Sequence, residues 1–494
     1  MVKKLWILAA ALGFVISSLN AQDATAVLQK ARKTMGEVSS IQYSGNGYDF
    51  ELGQNVRPTT PWTKLIVTRY TQTIDYSSRS SKEELMRINE TPPAPGGGGL
   101  FAGEQKQVNL VSGNYAWNQP GDKPQPALLL LPAIEISTAK LRQLQIWLTP
   151  HGFLKAAMEN HATAKQENGA AVVSFKLDKF DVKGTIDGQG LVTKVETWIP
   201  DSVLGDMIIE TTYSGYKDFK GAKFPTHIVQ RDGQYPVLDL NVSSVHPNAP
   251  LNLSVPDAVK NMQPPSDTVV ETQKLADGVW YLTGAFVDSV VIEYPSFVTV
   301  LEAPLSEERS LAVIAEIKKL APNKRVRYVL NTHHHFDHAA GLRTYAAEGA
   351  TIITDESNIP FYQQANKAPR TLAPDKLSQN PMPVKFLSVK DKYVLLEGNR
   401  KLEIYHSEGE THDEGMLFAY LPREKMLFEA DEFTPPGPGA PPAGPGGSPY
   451  PPIVVGLHVT MYKNIQRLKL DVATIVPLHG VRTTKLDELI AGLH

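Results

Sequence analysis

The sequence predicts an α+β protein in two parts: a mainly antiparallel β-rich region with helices over residues 22–262, and a layered α/β region over 263–494. Three observations carry this reading. Up to about residue 250 the chain alternates short β-favouring runs with turn signals, the pattern of antiparallel sheet. A Pro-rich stretch, Pro256 to Pro265, then interrupts it. Beyond that stretch, strands flank an amphipathic helix, which is the mark of an α/β layer. With 494 residues, 42% hydrophobic and 20% charged, the chain is long and apolar enough for two ordinary cores and lies far from disordered compositions.

Taken in order, residues 1–21 predict a cleavable signal peptide: Lys3 and Lys4 precede an apolar run from Leu5 to Leu19, followed by small residues up to Ala21. The run falls short of the about 20 residues that span a membrane comfortably. The expectation is an exported protein, periplasmic or secreted, with no stable membrane insertion after cleavage. No cysteine follows the run, so a lipid anchor there is excluded. From Ala24 to Val38, the apolar positions Val27, Leu28, Ala31, Met35 and Val38 recur at helical spacing, with Asp23 as the expected N-cap.

Strands are expected at Ile41 to Phe50, Lys64 to Ile74, Ala171 to Phe180, Leu191 to Ile199, Met207 to Tyr216 and Pro236 to Val245. Asp187-Gly188 and Asp232-Gly233 mark turns between them, and a second helix is expected over Thr138 to Leu148. His151 and His161 read as surface residues. Two Pro/Gly-rich segments break the pattern. Thr91 to Gly99 holds three prolines and four consecutive glycines and is expected to be a mobile loop. Pro435 to Pro452, which contains Tyr450, reads as a lid over the site or as an insertion pointing away. After the linker come strands at Gly278 to Gly284, Ser289 to Tyr294 and Phe297 to Glu302. A helix over Ser306 to Leu320 and a strand over Arg325 to Leu330 follow.

Composition narrows the chemistry. There is no cysteine, which excludes disulfides, thiolate nucleophiles and sulfur-ligated metals. Lys and Arg number 49 against 52 Asp and Glu, so no basic field exists to attract a polyphosphate, and nucleic acid is not an expected partner. A small-molecule substrate is expected, hydrophobic ones included.

Directly after the Arg325 to Leu330 strand stands His-x-His-x-Asp-His, formed by His333, His335, Asp337 and His338. Imidazole and carboxylate are the nitrogen and oxygen donors of Zn²⁺, and four of them within six residues at a strand end can converge on one point. His412, Asp431 and His479 each sit at the end of an apolar run or at a turn beside one. Together these residues supply seven ligands for two zinc ions per chain. Zinc ions roughly 3.5–4 Å apart can share a hydroxide that attacks a carbonyl. Asp337 then binds metal and orients the nucleophile or takes its proton.

This constellation resembles the metallo-β-lactamase superfamily over about residues 268–494. The resemblance implies a four-layered αβ/βα sandwich with a dinuclear site at one edge of its two sheets. It also implies that His333, His335 and His412 hold the first zinc, that Asp337, His338 and His479 hold the second, and that Asp431 bridges them. Three positions depart from the common pattern: Ala430 before the bridging aspartate, Ala340 after the first motif, and Leu478 before the last histidine. None removes a ligand.

Within that superfamily, flavodiiron proteins place a glutamate where His335 stands, whereas true metallo-β-lactamases carry cysteine or serine at the position of Asp431. The carboxylate here resembles glyoxalase II and lactonases. The expected function is therefore an exported dinuclear zinc hydrolase of esters, thioesters, lactones or amides, with β-lactam hydrolysis as an alternative. The region from about 24 to 255 resembles periplasmic lipoprotein-carrier and outer-membrane lipoprotein-sorting proteins, through its leading helix, Tyr216-Lys217-Asp218 and Gly221-Ala222-Lys223-Phe224-Pro225. That resemblance implies an open half-barrel whose concave face holds acyl chains. It leaves a further alternative, a hydrophobic-ligand or lipid binder with a vestigial metal region.

Overall fold

A computed structural model describes residues 22–90, 94–98, 101–127, 133–262, 268–437, 452–480 and 482–493. The expected signal peptide lies outside the described residues, as do Tyr450 and most of the Pro435 to Pro452 segment. Among the described residues no helix is long and apolar enough to cross a membrane.

The first helix runs over Thr25–Met35 and buries Leu28, Ala31 and Met35, three positions that fall on one helical face. Its N-cap is Ala24 and not Asp23, without a side-chain cap. It stops before the expected Val38 because Gly36, at φ +80°, closes it by donating to the Arg32 carbonyl. Thr138–Leu148 is capped by Ser137, and a second helix, Pro150–Glu159, follows at once with Thr149 as cap and proline in its first turn.

Among the described residues, fourteen strands of this half of the chain form one antiparallel sheet, and Lys217–Phe219 pairs with Ala222–Phe224 in a separate hairpin. Ser40–Glu51 lies in the middle of the large sheet, between Tyr235–Pro247 and Thr63–Asp75. The run expected as one strand over Ala171 to Phe180 is a hairpin of Ala170–Leu177 and Phe180–Ile186, because Asp178 takes a left-handed conformation at φ +57° and turns the chain. His151 is not on the surface. It is buried at 3% exposure, stacked on Phe224 with its Nε2 facing the Met35 carbonyl at 3.3 Å, since it sits on the inward face of Pro150–Glu159. His161 is exposed.

The expected linker contains a short helix, Asp257–Lys260, whose Val259 is buried against Val108, Leu110 and Trp117. After it the chain builds two further sheets. The first runs in the order Glu271–Ala276, Val279–Thr283, Ser289–Glu293, Phe297–Leu301, Arg325–Leu330, Thr351–Asp355 and Lys385–Val389, with its last three strands parallel to Phe297–Leu301. The second comprises Lys392–Glu397, Arg400–His406, Leu417–Leu421, Met426–Glu429 and Thr474–Pro477. Facing residues of the two sheets, among them Tyr281, Ile292, Leu330, Ile404, Leu417 and Phe428, form one buried apolar core. Fully buried strands of this kind read as continuous apolar runs, as Leu417–Leu421 does, and this is why Phe297–Leu301 was recognisable in the sequence.

Glu307–Leu320 makes the crossover between the parallel strands Phe297–Leu301 and Arg325–Leu330. Ser306 accepts from the Arg309 N–H at its start, Glu307 and Glu308 occupy its first turn, and Lys318 and Lys319 its last, all matched to the helix dipole.

Among the described residues the two halves share an apolar cluster that includes Trp62 and Phe336, and they also meet through backbone and polar contacts. The Leu52 to Arg57 loop, together with Gly96 and Gly97, lies against the segments carrying His335 and His412. The Asp201 to Asp206 turn receives Arg370, whose guanidinium donates to the carbonyls of Asp201 and Val203 at 2.8 and 2.9 Å. Gly96 and Gly97 are buried. This part of the segment expected to be a mobile loop is seated instead, because its backbone finds partners across the interface.

Candidate metal centre

One edge of the two sheets collects the seven residues. His333, His335, Asp337 and His338 follow the C-terminal end of Arg325–Leu330, Asp431 follows Met426–Glu429, and His479 follows Thr474–Pro477. Leu417–Leu421 runs antiparallel to Met426–Glu429, so its N-terminal end, preceded by His412, reaches the same edge. The Leu417 N–H donates to the Thr332 carbonyl at 2.8 Å and ties the two sheets together there. Asn331 shapes the histidine loop from beneath: its amide donates to the His333 carbonyl at 2.6 Å and its oxygen accepts from Tyr362 at 2.6 Å.

Among the described residues three groups of donors could hold an ion: His334, His335 and Asp413 form one, and the seven residues make up the other two. Of these two, His333, His335, His412 and Asp431 form the first, and Asp337, His338 and His479 form the second. Oδ2 of Asp431 lies 3.2 Å from His333 Nε2, 3.0 Å from His338 Nε2 and 3.2 Å from His412 Nε2, while its Oδ1 lies 3.7 Å from His479 Nε2. Oδ2 of Asp337 lies 3.5 Å from Nε2 of both His338 and His479. Thus the structure brings together every residue that the sequence singled out.

Whether a metal fits follows from the polar bookkeeping. Nε2 of His333, Nδ1 of His335, and Nε2 of His338 and His412 are buried and make no hydrogen bond. Three of them converge on one carboxylate oxygen, which has too few lone pairs to serve them all. Burying such nitrogens without a partner costs about 1–3 kcal/mol each, a penalty that metal coordination removes. The donor set is nitrogen and oxygen only, as zinc accepts.

Other residues hold the imidazoles in the required orientation. Thr332 Oγ1 lies 2.9 Å from His333 Nδ1, the Asn55 carbonyl lies 3.0 Å from His335 Nε2, and Glu302 Oε2 lies 3.3 Å from His338 Nδ1. The first two contacts are hydrogen bonds that occupy the ring nitrogen facing away and leave the other turned inward, while Glu302 meets His338 Nδ1 as a charged neighbour. His334, the one histidine of the run outside the pattern, has its Nδ1 paired with Asp413 and its Nε2 3.0 Å from Asn55 Oδ1. It braces the loop against Asp413 and Asn55.

Electrostatically the site favours positive charge. Burial pushes His338 down, but Asp431, Asp337 and Glu302 outweigh it and hold the imidazole well above its ordinary value. Burial likewise pushes Asp431 and Asp337 up, and His338 and His479 outweigh it, so both carboxylates stay ionised. His335 is held well below the usual range, by burial first and by its histidine neighbours next, and remains a neutral donor. Asp431 sits at φ +64° and Glu302 at φ +68°, left-handed conformations costing about 1–2 kcal/mol for residues other than glycine. Ala430, Ala340 and Leu478, the three departures from the common pattern, are all buried and displace no ligand.

Sequence reasoning missed Glu302, Asp413, Gln54 and Asn55. Glu302 and Asp413 adjoin recognised motifs, and an acidic residue at the end of a fully apolar strand was a usable signal for the first. Gln54 and Asn55 carry no signal, being about 280 residues from their partners.

Residues 282–479 match the family model described as the metallo-beta-lactamase superfamily. No curated protein matches the chain. Among solved structures, a metallo-beta-lactamase from Pontibacter korlensis is similar at 17% identity and a TM-score of 0.34, over 46% of this chain and 97% of that one. The DIM-1 metallo-beta-lactamase is similar at 16% identity and a TM-score of 0.34, over 45% of this chain and 95% of that one. The same enzyme exposed to ceftazidime gives 14% identity and a TM-score of 0.34, over 45% and 94%. The C-terminal region of this chain, matched over residues 282–479, carries the fold of the metallo-beta-lactamase superfamily, whose members are generally metal-dependent hydrolases.

Proposed function

We propose that this protein is a dinuclear zinc-dependent hydrolase acting on an ester, thioester, lactone or amide carbonyl. The observation that carries the reading is the convergence of three imidazole nitrogens within 3.2 Å of Asp431 Oδ2, beside a second group formed by Asp337, His338 and His479. His333, His335 and His412 would hold the first zinc and Asp337, His338 and His479 the second, with the Asp431 carboxylate available to either. When bound, the metals supply Lewis acidity towards a carbonyl oxygen and lower the pKa of water towards about 7.

The chain's own residues do the rest. Thr332, the Asn55 carbonyl and Glu302 fix ring orientation, so the ligands are set before substrate arrives. Asp337 stays ionised and presents Oδ2 to the centre, where it orients the nucleophile. Phe286, 68% exposed and edge-on to the His479 ring at 4.3 Å between centroids, offers apolar contact on the open side. This suits a small substrate with a hydrophobic part. The arrangement of the two sheets face to face, with helices outside each, belongs to the same reading as a four-layered αβ/βα sandwich. We place the protein outside the cytoplasm, in the periplasm or beyond the cell, on the strength of residues 1–21.

The N-terminal sheet fits a scaffold better than a lipid carrier. One face is occupied by Thr138–Leu148 and Pro150–Glu159 and by the Tyr43 ring, which packs on Tyr70 and on Phe224.

Metal analysis of purified protein, joined to a screen of p-nitrophenyl esters, lactones, nitrocefin and S-lactoylglutathione with and without EDTA, tests the proposal. Two zinc ions per chain and EDTA-sensitive turnover of a carbonyl substrate are expected. Fewer than one zinc per chain, or turnover indifferent to EDTA, overturns it. Preferential turnover of nitrocefin selects the β-lactamase alternative.

A further inference from the structure

Gln54 belongs to the loop after Ser40–Glu51 in the N-terminal sheet, yet its Nε2 donates to Asp337 Oδ1 at 2.9 Å. The other oxygen of that carboxylate, Oδ2, faces His338 and His479. The two oxygens therefore have separate duties, one turned to the centre and one tied outward.

The Gln54 backbone is itself pinned. Its carbonyl accepts from the Thr63 hydroxyl at 2.6 Å and from the Gly97 N–H at 2.8 Å, while Gly96 donates to the Thr411 carbonyl at 2.9 Å, beside His412. Gly97 lies flat against the site. A Cβ there would stand 2.0 Å from Gln54 Oε1 and 2.9 and 3.0 Å from the Cε1 atoms of His412 and His335. Only glycine lets this strand of backbone cover both imidazoles and leave the Gln54 amide in place.

We infer that Gln54 is a positioning residue for Asp337, delivered by the N-terminal sheet and held in register by Gly97. The inference rests on the zinc-hydrolase reading. An amide donor on Oδ1 commits that oxygen and stops the carboxylate from rotating, so Asp337 offers one oxygen, in one direction, to the second group of ligands. The N-terminal sheet is then a wall of the metal centre and sets its affinity for metal.

The test uses the full chain and needs no substrate. Gln54→Met keeps the length of the side chain and removes the donor. Zinc affinity is measured by competition with a chromogenic chelator, and the ligand field by the visible spectrum of cobalt-substituted protein. Binding of one of the two equivalents is expected to weaken by about 10–100-fold, with an altered cobalt spectrum and an unchanged melting point of metal-free protein. Gly97→Ala, whose Cβ would push the Gln54 amide aside and also press on His412 and His335, should weaken both equivalents. On an identified substrate, Gln54→Met should lower kcat and leave KM nearly unchanged. Two variants that both bind zinc with wild-type affinity overturn the inference. Wild-type protein that binds two zinc ions but hydrolyses nothing overturns the hydrolase reading instead, and the chelator titration still decides the role of Gln54.

Discussion

Oε2 of Glu302 lies 3.3 Å from Nδ1 of His338, with both side chains fully buried. The other oxygen of Glu302 accepts the Thr332 backbone N–H at 2.6 Å. One carboxylate thus orients a metal-facing imidazole and anchors the loop that carries it. Glu302→Gln keeps the volume but replaces one oxygen by an N–H, which opposes either the Thr332 donor or a protonated His338 Nδ1. Zinc titration should show one equivalent weakened by about 10–100-fold, with little change in the melting point of metal-free protein. Unchanged affinity for both equivalents would show that the contact is merely structural.

Removing ligands should separate the two groups. His412→Ala is expected to lose the first zinc and His479→Ala the second, each retaining about one zinc per chain by elemental analysis. Asp431→Asn, which alters the residue between both groups, is expected to lose more than either. Asp337→Asn should abolish turnover. Because metal binds only the folded chain, zinc held about 100-fold above its Kd should add about 2.7 kcal/mol of stability, read as a melting point that falls on adding EDTA.

The contrast between what was and was not legible has a physical basis. The seven ligands were readable because a metal needs particular donor atoms at strand ends, and strands buried on both faces announce themselves as apolar runs such as Leu417–Leu421. Glu302, Gln54 and Asn55 were not, because a residue that orients a ligand is chosen by where the fold brings it and not by its neighbours in sequence. The surface reading of His151 failed for a related reason. Local pattern showed a histidine beside helix-starting residues, but not that the N-terminal end of Pro150–Glu159 is packed into the core.

Buried His151 makes stability depend on pH. Burial lowers its pKa to about 4, against an ordinary value near 6.5 in the unfolded chain. Between these values the unfolded state binds the proton and the folded state does not. The stability is therefore complete above about pH 6.5 and is lost as pH falls towards 4, by roughly 3 kcal/mol at most. In EDTA-treated protein, His151→Phe should lower stability at pH 7.5, where the contact with the Met35 carbonyl is lost, and should flatten the decline between pH 6.5 and 4. An unchanged slope in the variant would assign that decline to other groups.

The interface between the halves should couple folding to metal affinity through Phe336, which stands between His335 and Asp337. Its ring meets Trp62 edge-on at 5.8 Å, and Trp62, 5% exposed, also meets Tyr235 at 5.3 Å. A Cβ on Gly53 would come within 2.4 Å of the same ring. Trp62→Ala removes the edge-on ring contact on Phe336 and is expected to cost about 3–5 kcal/mol in chemical denaturation. The freed ring lets the backbone between two metal ligands shift, so zinc affinity should fall in the same variant. Val173→Ala supplies the comparison. It opens a cavity in the fully buried interior of the N-terminal sheet, on Ala170–Leu177, and should lower stability while leaving zinc affinity at the wild-type value. Equal loss of affinity in both variants would mean that zinc binding simply follows global stability. Loss in Trp62→Ala alone locates the coupling at the Trp62–Phe336 contact, where the N-terminal sheet bears on the histidine loop.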